Sequence, residues 1–268
     1  MPTKNVFRSL TLATLATLAA TIWVAEASAL TLVSSCPQIL TKAGETYYLA
    51  ADLTAAGSCL TVAADRITID FKDHSITGDG SGVAVTDRGV ARTLTTVKRG
   101  TVDSFETGID LAASSRSAVL SLSSNYNTGD GIVVGIRGMV KGSMVGFNGG
   151  DGVRVGTFSQ AQENVVYSNG EYGLVAGDSS LVTKNLTQSN ANGMLVGKSS
   201  NVTGNLAGDN AGDGIHVGPG SQVNGNSATE NRGVGIGVEC PGMVTRNESW
   251  NNTTNYSDLK GCRASNNQ

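Results

Sequence analysis

The sequence predicts an all-β solenoid, on three observations. The first is a heptapeptide, GDGIHVG (Gly212–Gly218). It returns as GDGIVVG (Gly129–Gly135), GDGVRVG (Gly150–Gly156), EYGLVAG (Glu171–Gly177), ANGMLVG (Ala191–Gly197) and GVGIGVE (Gly233–Glu239). Its central glycines, Gly131, Gly152, Gly173, Gly193, Gly214 and Gly235, follow at spacings of 21, 21, 20, 21 and 21 residues, the mark of stacked repeats. The second is a pair of asparagine series locked to the same period. Asn127, Asn148, Asn169, Asn190, Asn210 and Asn231 form one, and Asn164, Asn185, Asn205, Asn226 and Asn247 the other. The third is the pattern within each repeat. In Ile132–Val134, Val153–Val155, Met194–Val196, Ile215–Val217 and Ile236–Val238 the outer two residues are apolar, as in a strand with one buried face.

The chain opens with a segment unlike the rest. Lys4 and Arg8 precede an apolar stretch from Leu10 to Val24, closed by Ala27-Ser28-Ala29. This is the pattern of a secretory signal peptide over residues 1–29, cleaved after Ala29. The stretch is shorter than the ~20 residues of a spanning helix. Export, to a periplasm or the exterior, makes disulfides the expected state of the four cysteines. Residues 30–59 read as an N-terminal cap, 60–248 as the coils and 249–268 as a C-terminal cap, since a stack of coils must cover its core and strand edges at both ends.

Within the coils, a second strand carries Ala161, Val182, Val202, Val223 and Val244 at one inward position. Each asparagine is placed to hydrogen-bond its equivalents above and below and to occupy left-handed turns. The glycines are expected where the chain turns sharply into each strand. Gly108 and Gly82 extend their series at spacings of 23 and 26. Coils stacked at ~4.8 Å make roughly nine turns and a rod of ~43 Å. Four cysteines allow three connectivities. Pairs at opposite ends of such a rod exceed the ~7 Å reach of a disulfide, which leaves Cys36 with Cys59 and Cys240 with Cys262.

DRITIDFKDHSITGDGSGVAV (Asp65–Val85), together with the glycine and asparagine registers, resembles the right-handed parallel β-helix proteins of the pectate-lyase-like superfamily, in particular bacterial β-helix repeat proteins. The likeness covers about Cys36 to Asn252 and implies a single-domain right-handed parallel β-helix. It implies no one activity, because this fold hosts lyases, hydrolases, epimerases, adhesins and inert spikes.

Composition and columns narrow the function. After residue 29 the chain has 17 basic and 21 acidic residues, which excludes the basic field of a nucleic-acid binder. The outward column of the glycine-marked strand reads Ala84, Asp110, Val133, Arg154, Val175, Leu195, His216 and Gly237. The column before the glycines reads Thr107, Asp130, Asp151, Tyr172, Asn192, Asp213 and Val234. Asp130 over Asp151 with Arg154 nearby is the candidate catalytic group. Two stacked carboxylates repel, so one pKa rises or a cation sits between them, and sugar hydrolysis needs two carboxyls. The resemblance adds that lyases of this superfamily use acidic residues on calcium and a basic residue on the α-proton. Tyr126, Phe147 and Tyr172, with Asp110, are the candidate sugar-binding residues, by ring stacking; Phe147 reads equally well as inward-facing.

Plainer readings stand beside these. Asp before Gly is an ordinary turn residue, and Asp213 repeats it without an acidic neighbour. His74 and His216 are too far apart to share a site, and Glu163 with Lys184 reads as a cross-rung ion pair. Even spacing from Gly131 to Gly235 leaves no room for loops that wall a cleft, so any cleft is expected between Gly82 and Gly131. The function expected is an exported, monomeric rod that binds or processes a polysaccharide, with calcium as a possible cofactor and catalysis undecided. The alternative is a non-enzymatic surface or structural solenoid.

Overall fold

A computed structural model describes residues 30–268, and the signal peptide expected over residues 1–29 lies outside the described residues. All regular elements described are strands, and all pair in parallel. Each glycine-marked strand joins a sheet of eleven strands. The rest of each coil supplies two arms of a twenty-stranded sheet, fused into single strands at Thr96–Asp103 and Ala118–Asn125. Coils therefore number eleven rather than nine, because both cysteine-bounded ends are themselves coils. Gln38–Leu40 pairs with Leu60–Val62 at one end, and Thr254–Tyr256 with Val234–Val238 at the other. Both disulfides form as expected, with Cα–Cα distances of 4.7 Å for Cys36–Cys59 and 5.0 Å for Cys240–Cys262.

Inward residues behave as their period requires. Ala161, Val182, Val202, Val223 and Val244 are 0% exposed, as are Ile132, Val153, Leu174, Ile215 and Ile236. Both asparagine series form continuous buried ladders. Each amide Nδ2 donates to the Oδ1 of the next, from Asn127 to Asn148 at 2.8 Å and from Asn164 to Asn185 at 2.9 Å. The same Oδ1 accepts the backbone N–H of the coil before it. A third ladder, of serines, escaped the sequence reading: Ser159, Ser180, Ser200 and Ser221 each cap the N–H of the preceding coil.

Two physical reasons differ from those expected. The left-handed residues are not the asparagines but the residues just before them, among them Tyr126 (φ 55°), Phe147 (φ 57°), Glu163 and Lys184 (both φ 56°). One such residue at a corner throws its own side chain outward and turns the next one in. The central glycines, in turn, are set by close approach rather than by a turn. A Cβ on Gly152 would lie 2.3 Å from Val166 Cγ1 and 2.7 Å from Asn169 Nδ2.

Two details of register also change. Val83 pairs with Thr107 and Thr86 with Asp110, so Ala84, not Gly82, holds the glycine position, and Thr86, not Ala84, stands in the outward column. Glu163 pairs with Lys141 at 3.6 Å rather than with Lys184.

Candidate functional site

The corner that ends each coil carries the candidate residues in sequence: a left-handed residue facing out, an asparagine facing in, and an acid or its equivalent reaching to the next coil. Asp130 Oδ1 accepts the N–H of Asp151 (2.8 Å), Asp151 Oδ1 that of Tyr172 (2.9 Å), and Asp213 Oδ1 that of Val234 (2.7 Å). Asn192 does the same for Asp213 (3.1 Å). One oxygen of each residue is therefore structural, as the turn reading expects.

The second oxygens meet a cation. Arg154 rises from the outward column, and its guanidinium donates to Asp151 Oδ2. Its Nε lies 3.6 Å from Asp130 Oδ2. The arginine is thus the cation between stacked carboxylates. The Asp151 side chain is 2% exposed with both oxygens engaged, whereas Asp130 is 26% and Arg154 46% exposed. Burial pushes the Asp151 carboxyl up from its ordinary pKa; the Tyr172 N–H and the Arg154 charge oppose this, and the Asp130 and Glu171 charges add to it. The groups able to touch a ligand are Arg154 and Asp130, with Asp151 holding Arg154 in place.

Asp110 extends the acidic stretch. Burial pushes its carboxyl up, the N–H of Ala112 opposes, and the charges of Asp87 and Asp130 add. Asp87 was missed because it follows Thr86, the partner of Asp110, at an inward position where the period expects an apolar residue. It is buried, accepting from Ser114 Oγ (2.8 Å) and Gly89 N–H (2.9 Å). A calcium ion takes about 6–8 oxygen ligands, and here a guanidinium already lies between the two stacked carboxylates. Among the described residues, no group of three or more His, Cys, Asp or Glu side chains is placed to hold a metal ion.

The aromatic column faces out. Tyr126 and Phe147 stack with ring centroids 5.0 Å apart and planes within 3°, at 61% and 45% exposure. Tyr167 completes the group edge-on to Phe147 at 5.2 Å. Its signal was Gly146, its strand partner, over which the ring lies: a Cβ there would be 2.6 Å from the ring carbon bearing the hydroxyl. Tyr172 stands apart, in the eleven-stranded sheet. Tyr126 and Asp130, like Phe147 and Asp151, are four positions apart in the sequence, which limits their Cα atoms to a separation of about 14 Å.

The expected cleft is not walled by the stretched coils at this face. The extra residues fold back, with the N–H of Arg88 on Thr86 and that of Gly89 on Asp87. A hollow of about 320 Å³ on the other sheet, lined by Asp73, Gly100, Thr101, Ser121, Leu122 and Met144, occupies that region instead. His74 pairs with Asp52 (3.3 Å) and His216 with Glu239 (3.4 Å), in separate coils. No helix among the described residues is long and apolar enough to cross a membrane.

Fold and surface together define a disulfide-capped parallel β-helix with a strip of acids, one arginine and stacked rings on adjacent coils. Neither a protein-family model nor a curated protein matches the sequence. Solved structures match the fold. The A-module of the mannuronan C-5 epimerase AlgE4 of Azotobacter vinelandii aligns with a TM-score of 0.64 at 14% identity, over 88% of this chain and 80% of that one. The catalytic unit of a GH87 α-1,3-glucanase of Streptomyces thermodiastaticus aligns with a TM-score of 0.54 at 10% identity, over 87% and 61%. A periplasmic alginate epimerase, AlgG, aligns at 0.51 and 11% identity, over 87% and 78%. At these identities the likeness is one of fold.

Proposed function

We propose that this protein is exported and binds a polysaccharide across the coils that carry Tyr126, Phe147, Asp130 and Arg154. The observation that carries the proposal is the exposed parallel Tyr126–Phe147 stack, on the same two coils as Asp130, Asp151 and Arg154. Two exposed rings stacked in parallel present a flat apolar surface, and a sugar ring offers the flat C–H face that suits it. Asp110, Asp130 and Arg154 supply acceptors and donors for hydroxyl groups. Two disulfides agree with a life outside the reducing cytosol, and polysaccharide enzymes among the structures of like fold agree with the ligand class.

Processing of the bound chain would fall to Asp110 and Asp130, since the Asp151 carboxyl is buried as well as engaged through both oxygens. That same engagement favours a second reading, a binding or structural rod without catalysis. A glycan-array screen of the disulfide-bonded protein, with and without calcium, tests the proposal, followed by Tyr126→Ala/Phe147→Ala and Asp130→Asn. Binding that both variants weaken without a change in melting supports it. Absence of binding to every glycan leaves a capped rod whose aspartates are turn residues.

A further inference from the structure

We infer that a second sugar-binding site lies further along the same face, and that the polysaccharide it takes is uncharged. The outward column continues from Arg154 through Val175 and Leu195 to His216. Beside it, the turns that leave the strands form a wall that includes Asp178, Lys198, Pro219 and Glu239. Column and wall flank an open groove of about 380 Å³, comparable in volume to ligand sites. Half-buried Val175 and Leu195 lie at its base. Gly237 lacks a side chain where a Cβ would lie 3.1 Å from His216 Nδ1, which makes room for the imidazole over the sheet.

Its polar groups are already matched to one another. Lys198 Nζ lies 3.6 Å from Asp178 Oδ2, and His216 Nε2 lies 3.4 Å from Glu239 Oε1. Each pair keeps capacity to spare: the ammonium has three donors, and each carboxylate accepts several bonds. An apolar base with paired donors and acceptors on its wall suits a pyranose, which has an apolar face and hydroxyls at its edge.

Charge then selects among glycans. Counting histidine as neutral, the groove carries Asp178 and Glu239 against Lys198. That one cation already has a carboxylate partner. A chain of uronates would bring one more carboxylate per residue against a net-negative strip, and like charges brought together cost affinity. A neutral hexose polymer meets no such barrier. This inference rests on the proposed polysaccharide function.

Calorimetric titration of the full disulfide-bonded protein with neutral gluco- and manno-oligosaccharides, and with oligouronates of matched length, tests it. Leu195→Glu and His216→Ala, both at solvent-facing positions, serve as variants, with melting curves as the folding control. The expected result is binding of a neutral series only, insensitive to salt, weakened about tenfold by Leu195→Glu and several-fold by His216→Ala. Neutral binding untouched by both variants overturns the groove as a site. Preference for oligouronates overturns the charge argument while sparing the proposed function. Failure of every oligosaccharide to bind overturns both.

Discussion

Asn169 sits mid-ladder, and its removal tests whether the ladders hold the coils together. Its Oδ1 accepts the backbone N–H of Asn148 (3.1 Å) and the Asn148 amide (2.9 Å). Its Nδ2 donates to Asn190 Oδ1 (2.9 Å) and to the carbonyl of Val145 (3.3 Å). Asn169→Ala leaves the buried Asn148 N–H without a partner, a penalty of about 1–3 kcal/mol, and forfeits three further bonds at about 1 kcal/mol each. The expected loss is about 4 kcal/mol, or a fall in Tm of about 10 °C for a chain of this length. Asn169→Asp keeps the acceptor for Asn148 but turns a carboxylate oxygen toward two acceptors, Asn190 Oδ1 and the Val145 carbonyl. It should therefore be no better than Ala despite its nearly identical shape. Urea titration followed by circular dichroism measures both. A loss below about 1 kcal/mol for Asn169→Ala would refute the reasoning, because the ladder would then be a consequence of stacking and not a cause of it.

Further outcomes follow from the same geometry. Thr187 is fully buried and its hydroxyl has no partner, so Thr187→Val should raise stability by about 1–2 kcal/mol in urea titrations. Gly152→Ala, whose Cβ meets side chain and backbone inside the coil, should cost about 3 kcal/mol. Gly225→Ala, at φ +63° with nothing within 4 Å, should cost only about 1 kcal/mol of left-handed strain by the same assay. Burial would raise the Asp70 carboxyl, but hydrogen bonds from Arg99 and the Lys72 N–H, with the Arg99 and Lys98 charges, hold it below 3.8. Its contribution is therefore complete above that value and lost as pH falls through the lower folded pKa. Asp70→Asn, whose cation partners stay exposed to solvent, should cost on the order of 1–2 kcal/mol at neutral pH and flatten the acid limb of the stability curve. Cys240→Ser/Cys262→Ser should remove about 3 kcal/mol, with faster hydrogen exchange confined to the final coils, since each coil touches only its neighbours.

The candidate site was legible in part. Asp130 and Asp151 meet because residues one period apart must stack, with Arg154 three residues beyond Asp151 on the same coil, and Tyr126 and Phe147 stack for the same reason as the aspartates. A period cannot say which way a side chain points at a left-handed corner, and Phe147 read equally well inward. Nor can it say how an oxygen is spent, and Asp151 proved to be committed twice. Tyr167 was hidden because its neighbour in space is a glycine one coil earlier. The partner of His216 was hidden because Glu239 comes from a turn on the next coil.

The sequence by itself determined the class of fold, the two asparagine ladders and the pairing of the cysteines. Those follow from one repeat length, since equal coils can bury their apolar positions only by stacking in register. The tertiary structure decided the rest: eleven coils, because cap segments without the repeat motif still pair as strands; Ala84 in a glycine column, because strand register and not residue type sets equivalence; and glycines required by the ladder and the next coil's backbone. The arginine between two acids and the groove beside His216 belong with these. Each depends on distances between coils of a few ångströms, which hydrogen bonding across the stack sets and spacing along the chain does not record.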